Sequence, residues 1–124
     1  MLLNCDMVID SEKYFIHSNG WWWGSSYFIA RKDGAGIVEV MFDKSMPETL
    51  YIESLSVLES ERRCGIGRSL LQLCEDIALQ DGKTFLSLSV EVGKDWLLDW
   101  YKSFGFHTYR IEENTFTMIK ELKK

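Results

Sequence analysis

Apolar residues at Leu70, Leu73, Cys74, Ile77 and Ala78 recur at the i, i+3, i+4, i+7, i+8 spacing of a helix with one buried face. Asp81-Gly82 predicts where that helix stops. A second helix is predicted from Trp96 to Phe104, with Trp96, Leu97, Trp100, Tyr101 and Phe104 on one side and Gly105 as its stop. Between the two, Thr84 to Val92 nearly alternates through Phe85, Leu86, Leu88 and Val90, which predicts a strand. Upstream, Tyr27-Phe28-Ile29-Ala30, a turn at Asp33-Gly34-Ala35-Gly36 and a returning run Ile37 to Phe42 read as a hairpin. Asp43 to Glu48, with the single proline Pro47, is the next loop, and Leu50 to Leu58 the next strand. An earlier strand is expected within Met7 to His17. Phe106 to Tyr109 and Thr115 to Ile119 form a last hairpin around Glu112-Glu113-Asn114. Several strands, helix, strand, helix and two strands predict an α/β (α+β) domain with a mixed, largely antiparallel sheet.

Gly20-Trp21-Trp22-Trp23-Gly24 breaks both periodicities. Three adjacent tryptophans cannot all face one core, so one or two are expected to pack while the rest line a groove or an interface.

The 124 residues are enough for one domain, 1–124, with a core that needs no staples. Net charge is −5, and the basic residues are scattered apart from Arg62, Arg63, Arg68 and the C-terminus. That speaks against a nucleic-acid partner and suits a cationic small molecule or peptide. Three cysteines without metal-ligand spacing fit reduced thiols in a cytoplasmic protein. His17 and His107 lack partner spacing, so no metal is expected. Met1-Leu2-Leu3-Asn4-Cys5 has no basic or apolar stretch before its cysteine and predicts no signal peptide. No run approaches a membrane span.

The chemistry is concentrated between strand and helix, in Arg62-Arg63-Cys64-Gly65-Ile66-Gly67-Arg68-Ser69. The first turn of a helix offers unpaired N–H groups and the positive end of the helix dipole. Glycines let backbone approach an anion, and arginines add full charge. A dinucleotide fingerprint would need a third glycine where Leu70 stands. A P-loop would need its earlier glycine and a lysine, and Gly67-Arg68-Ser69 supplies neither.

Arg62-x-x-Gly65-x-Gly67, after the strand from Leu50 to Leu58 and before Leu70-Leu71, resembles the coenzyme A signature of the GNAT N-acetyltransferases. Trp100-Tyr101-Lys102-Ser103-Phe104-Gly105-Phe106 is similar to that family's downstream Tyr-x-x-x-Gly-Phe segment. The resemblance implies a GNAT-type sheet, splayed in the middle and flanked by helices, with acetyl-coenzyme A as cosubstrate. A bulge in the strand before the glycine loop would open the splay. Backbone groups at Leu55, Ser56 and Val57 would then meet the pantetheine and acetyl carbonyl, and N–H groups from Arg63 to Ser69 the pyrophosphate. Arg62 and Arg68 would add charge, with Cys64, Gly65 and Ile66 in the same cradle. Where many members have an asparagine toward the pantetheine, this chain has Lys94. Leu97 replaces a small residue.

On a regular strand Glu53 shares a face with Tyr51, Leu55 and Val57, an apolar setting in which a carboxylate is costly unless used. Tyr51-Ile52-Glu53 resembles the segment of polyamine-type members whose glutamate acts as base through water. A bulge would instead turn Glu53 to solvent. Tyr101 lies on the apolar stripe of its helix, and the resemblance aligns it with the tyrosine that faces the coenzyme sulfur. Many members carry a strand and two helices before the hairpin, which wall the acceptor site, whereas here residues 1–24 precede it. The acceptor groove is therefore expected to be open, or closed by a second subunit of a homodimer or by Trp21 to Trp23. The function implied is acetyl transfer to a primary amine in a ternary complex. The competing readings are a coenzyme A-binding module without catalysis and a glycine-turn domain with no nucleotide.

Overall fold

The computed structural model describes residues 9–61 and 64–123. Arg62 and Arg63 lie outside the described residues. Strands β1 (Tyr14–Trp21), β2 (Gly24–Arg31), β3 (Gly36–Asp43) and β4 (Thr49–Val57) form an antiparallel meander. Helix α1 (Ile66–Gln80) crosses over to β5 (Phe85–Glu91), which lies parallel to β4. Helix α2 (Asp95–Lys102) and the hairpin β6 (His107–Ile111) and β7 (Thr115–Glu121) complete the chain. The sheet has seven strands in the order β1-β2-β3-β4-β5-β7-β6. Among the described residues no helix is long and apolar enough to cross a membrane.

Residues paired across strands project to the same face of a sheet. Following the pairs from Ile29 through Val38 and Leu55, and from Tyr27 through Val40, Ile52, Leu88 and Met118, traces one apolar face. All but the half-buried Leu55 are buried. The stripe Leu70, Leu73, Cys74, Ile77 and Ala78 of α1 is buried with that face in one core. Helix α2 packs beside α1: a Cβ added to Gly67 would stand 3.0 and 3.1 Å from two ring atoms of Trp100. Further along α1, Lys120 Nζ of β7 meets Glu75 Oε1 at 2.6 Å.

Three sequence expectations shift. The first strand runs Tyr14–Trp21, further along the chain than the stretch Met7 to His17 suggested. The second helix starts and stops earlier than Trp96 to Phe104, and Ser103 and Phe104 close it with turn hydrogen bonds. The tryptophans form a hairpin tip: Trp21 pairs with Gly24, so Trp22 and Trp23 are the two-residue connection. Trp21 and Trp23 stack with ring centroids 5.0 Å apart, while Trp22 is 86% exposed. A β-hairpin sends alternate side chains to opposite faces, which lets the outer two rings meet and leaves the middle one in solvent.

Candidate active site

The site begins where two strands part. β4 and β5 are paired only from Thr49↔Phe85 to Ile52↔Leu88. Beyond that point β4 keeps its pairing with β3 as far as Gly36↔Val57, and β5 keeps its pairing with β7 as far as Glu91↔Thr115. The two inner edges face each other across a gap, Glu53 to Val57 on one lip and Ser89 to Glu91 on the other. Tyr51 Oη donates to Ser89 Oγ at 2.9 Å just inside the crotch.

A bulge causes the parting. The register of β3 with β4 shifts between Glu39 and Val40, so that Val40 pairs with Ile52, Glu39 with Ser54, and Glu53 is the extra residue. The bulge also corrects the face assignment made for a regular strand. Leu55 pairs with Val38 and Ile52 with Val40, so Leu55 and Val57 rejoin the helix-covered face and Glu53 leaves it. Glu53 is exposed. One inserted residue bends the strand and increases its local twist, which pulls its far half away from β5.

The glycine loop stands at the open end of this gap, on the helix-covered side. Gly65 caps α1 in the left-handed region at φ 79°, ψ 8°, with no side-chain hydrogen bond to the helix end. A left-handed residue turns the chain sharply from the 3₁₀ turn Glu59–Glu61 into the helix, and glycine does this without a Cβ clash. Among the described residues, none accepts from the N–H groups of Ile66, Gly67 and Arg68. The Ser69 N–H, expected to join them, donates instead to Gly65 O at 3.0 Å, and the Ser69 hydroxyl donates back to Ile66 O at 2.8 Å. Ser69 is already one full turn into the helix, where the backbone ladder claims its donor. Cys64 is exposed, and its N–H donates to Glu61 O at 3.3 Å. Arg68 lays its guanidinium 4.7 Å from the centroid of the Phe104 ring. It thereby lines a cavity of about 110 Å³ with Glu75, Phe106 and Lys120.

Tyr101 sits on the buried side of α2, 7% exposed, between the rings of Trp100 and Phe106 at 5.1 and 5.7 Å. Burial, reinforced by the neighbouring Cys74, pushes its phenol up to about 12. At neutral pH it is a hydrogen-bond donor and a reluctant acid. Lys94 is the exposed N-cap of α2, its Nζ 4.0 Å from Glu91 Oε2 on the β5 lip.

Sequence reasoning missed Glu39. It lies half-buried on β3, paired with Phe28 of β2 and Ser54 of β4. Burial, with the charge of nearby Glu53 added, holds its carboxyl above the usual range. The signal was present in residues 36–42, where Glu39 is the one acid in an otherwise apolar run. The tryptophan tip shares this face through Trp21 but lies at the end of the sheet away from the glycine loop, beside Asp43 and Lys44.

Known proteins share this fold. The sequence model described as the acetyltransferase (GNAT) family matches residues 2–106. A nourseothricin acetyltransferase superposes with a TM-score of 0.70 at 16% identity, over 97% of this chain and 94% of its own. A GNAT family acetyltransferase from Elizabethkingia anophelis, solved with acetyl-CoA bound, gives 0.68 at 16% identity, over 90% and 100%. The ribosomal-protein-S18-alanine N-acetyltransferase from Escherichia coli gives 0.66 at 16% identity, over 85% and 73%. At these identities the neighbours establish the fold, and the family match over most of the sequence establishes the kinship. A parallel pair of strands that parts at a bulge beneath a glycine-capped helix is thus the frame of an acyltransferase, and the chain belongs to the GNAT acetyltransferase family.

Proposed function

We propose that this protein transfers the acetyl group of acetyl-coenzyme A directly to a primary amine while both are bound. The observation that carries the reading is the coincidence of two features at one end of the sheet. The β4–β5 gap runs along the backbone of Leu55, Ser56 and Val57, where β4 no longer pairs with β5, and the uncapped start of α1 opens beside it. The first suits an amide-rich arm, the second a pyrophosphate. The thioester supplies an activated carbonyl, and the protein supplies placement and proton handling.

A lysine-like amine with a pKa of about 10.4 must lose a proton before it attacks. Glu53, exposed at the bulge, takes that proton directly or through water, help worth about 10²- to 10⁴-fold. As the C–N bond forms and the C–S bond breaks, N–H groups of β4 freed by the bulge steady the developing oxyanion. Tyr101 donates a hydrogen bond to the leaving sulfur. With its phenol near 12 against about 8.5 for a thiol, full proton transfer is uphill by roughly 5 kcal/mol. Stabilisation by hydrogen bond is therefore its role.

Calorimetric titration with acetyl-coenzyme A, followed by thiol release on adding an amine, tests the reading. Micromolar binding is expected, retained in Tyr101→Phe while kcat falls about tenfold. Binding without turnover on any amine, with Tyr101→Phe no different from wild type, would favour the non-catalytic module. That alternative draws on Tyr101 being packed against the core. No binding by folded protein would overturn both.

A further inference from the structure

We propose that the outer edge of β1 seats a second copy of this chain, paired antiparallel about a two-fold axis at Ser18. The inference stands apart from the acetyl-transfer reading, because β2 and β3 separate this edge from the β4–β5 gap.

The sheet ends in two outer strands, β1 and β6. β6 has only five residues, carries Arg110 and shifts register between Thr108 and Arg110. Each of these features blunts an edge against further pairing. β1 has none of them. Its eight residues run in unbroken register with β2 and include no proline, lysine, arginine, aspartate or glutamate. The direction of its backbone groups follows from one hydrogen bond. Lys13 O accepts from Lys32 N at 2.8 Å, so Lys13 faces β2, as do Phe15, His17, Asn19 and Trp21 by alternation. Ile16, Ser18 and Gly20 therefore point their N–H and C=O groups outward. Among the described residues nothing bonds them.

A two-fold interface must be complementary to itself. An antiparallel pair about Ser18 sets Ser18 opposite Ser18, Ile16 opposite Gly20, His17 opposite Asn19 and Phe15 opposite Trp21. Outward groups then meet outward groups, and side chains meet others from the same face of the sheet. No like charges oppose each other. Phe15 and Trp21, 62% and 45% exposed, stand equally far from Ser18 on either side. The axis therefore lays each ring against the other kind on the second copy, a favourable cross-strand aromatic pair made twice. Trp22, exposed at the hairpin tip, reaches toward the second copy's Tyr14. Aromatic side chains bury about 150–250 Å² each, so these three exposed rings account for about 400 Å² per copy. With the backbone of both strands the total reaches about 1,200 Å², where stable interfaces begin.

Sedimentation equilibrium of the full chain is expected to show a dimer that dissociates on dilution. Phe15→Lys removes a paired ring, and Ser18→Pro removes an outward N–H that β2 does not use. Each should weaken the dimer by about tenfold or more, with an unchanged urea midpoint in Phe15→Lys showing that the fold is intact. Cysteine pairing reads the register. With Cys5 and Cys64 replaced by serine, Ser18→Cys should join two chains on mild oxidation, since Cα atoms opposed at a bonded pair stand about 5.5 Å apart. Gly20→Cys should not, because its own copy lies four residues out of register, about 13 Å away. A Cβ at Gly20 meets nothing within 4 Å, so that variant folds as readily. A chain monomeric at about 100 µM overturns the proposal. So does a dimer indifferent to Phe15→Lys, or cross-linking as strong through Gly20→Cys as through Ser18→Cys. A monomer whose Ser18 amide resists hydrogen exchange would mean that the chain covers its own edge, which overturns it equally.

Discussion

Gly67→Leu is expected to remove micromolar binding of acetyl-coenzyme A and to lower stability by about 1–3 kcal/mol. The two glycines of the loop serve different ends. Nothing stands within 4 Å of a Cβ on Gly65, so Gly65→Ala costs only the left-handed conformation, about 1–2 kcal/mol. At Gly67 the obstacle is the Trp100 ring, 3.0 Å from the added Cβ. That ring cannot simply swing aside, because Phe104 at 4.8 Å and Tyr101 at 5.1 Å hold it edge-on. A leucine would therefore push α2 away from the start of α1, moving Tyr101 and the N–H groups of the cradle together. Urea unfolding gives the stability loss and calorimetry the affinity. Trp100→Ala in the same chain should return part of both by vacating the space. If Gly67→Leu bound acetyl-coenzyme A as wild type does, the contact between helices would have no part in shaping the cradle.

That contact also marks where the sequence stopped being legible. The helices could be read from their apolar stripes, and β2, β3, β5 and the final hairpin from alternation and turns, because those signals are local. The glycine loop was legible through family resemblance, but Gly67 was read as making room for phosphate. Its neighbour Trp100 comes from a different helix, and only packing brings them together. Glu53 depended on a bulge, and a bulge is a property of a pair of strands. Tyr51 to Val57 alternates smoothly in sequence, while the shift appears only against Glu39 and Val40 of β3. Glu39 was overlooked for the same reason, since its relation to Glu53 runs across strands. The tryptophan run hid a turn because its two connecting residues are bulky, without the Asn-Gly or Asp-Gly that normally advertises a two-residue hairpin.

The protein is expected to lose much of its stability between about pH 9 and pH 12. Cys74 is fully buried on α1, and burial pushes its thiol from 9.0 up to about 12. Tyr101, whose phenol Cys74 helps to raise, goes from 10.0 to about 12. Both groups hold their protons in the fold and release them sooner when unfolded. Their contribution is therefore intact below about pH 9 and drains away as pH rises toward 12. At 1.36 kcal/mol per pH unit, Cys74 accounts for about 4 kcal/mol and Tyr101 for about 3. Set against a total stability of about 5–15 kcal/mol for a domain, that suffices to unfold the chain or nearly so. Urea midpoints at pH 7, 9, 10 and 11 should fall steeply in wild type and much less in Cys74→Ala/Tyr101→Phe, although that variant starts lower at pH 7. Parallel slopes would show that these two groups do not carry the alkaline limb. The same burial that creates the vulnerability keeps the phenol of Tyr101 protonated through the physiological range, which is the state its proposed hydrogen bond to a departing thiolate requires.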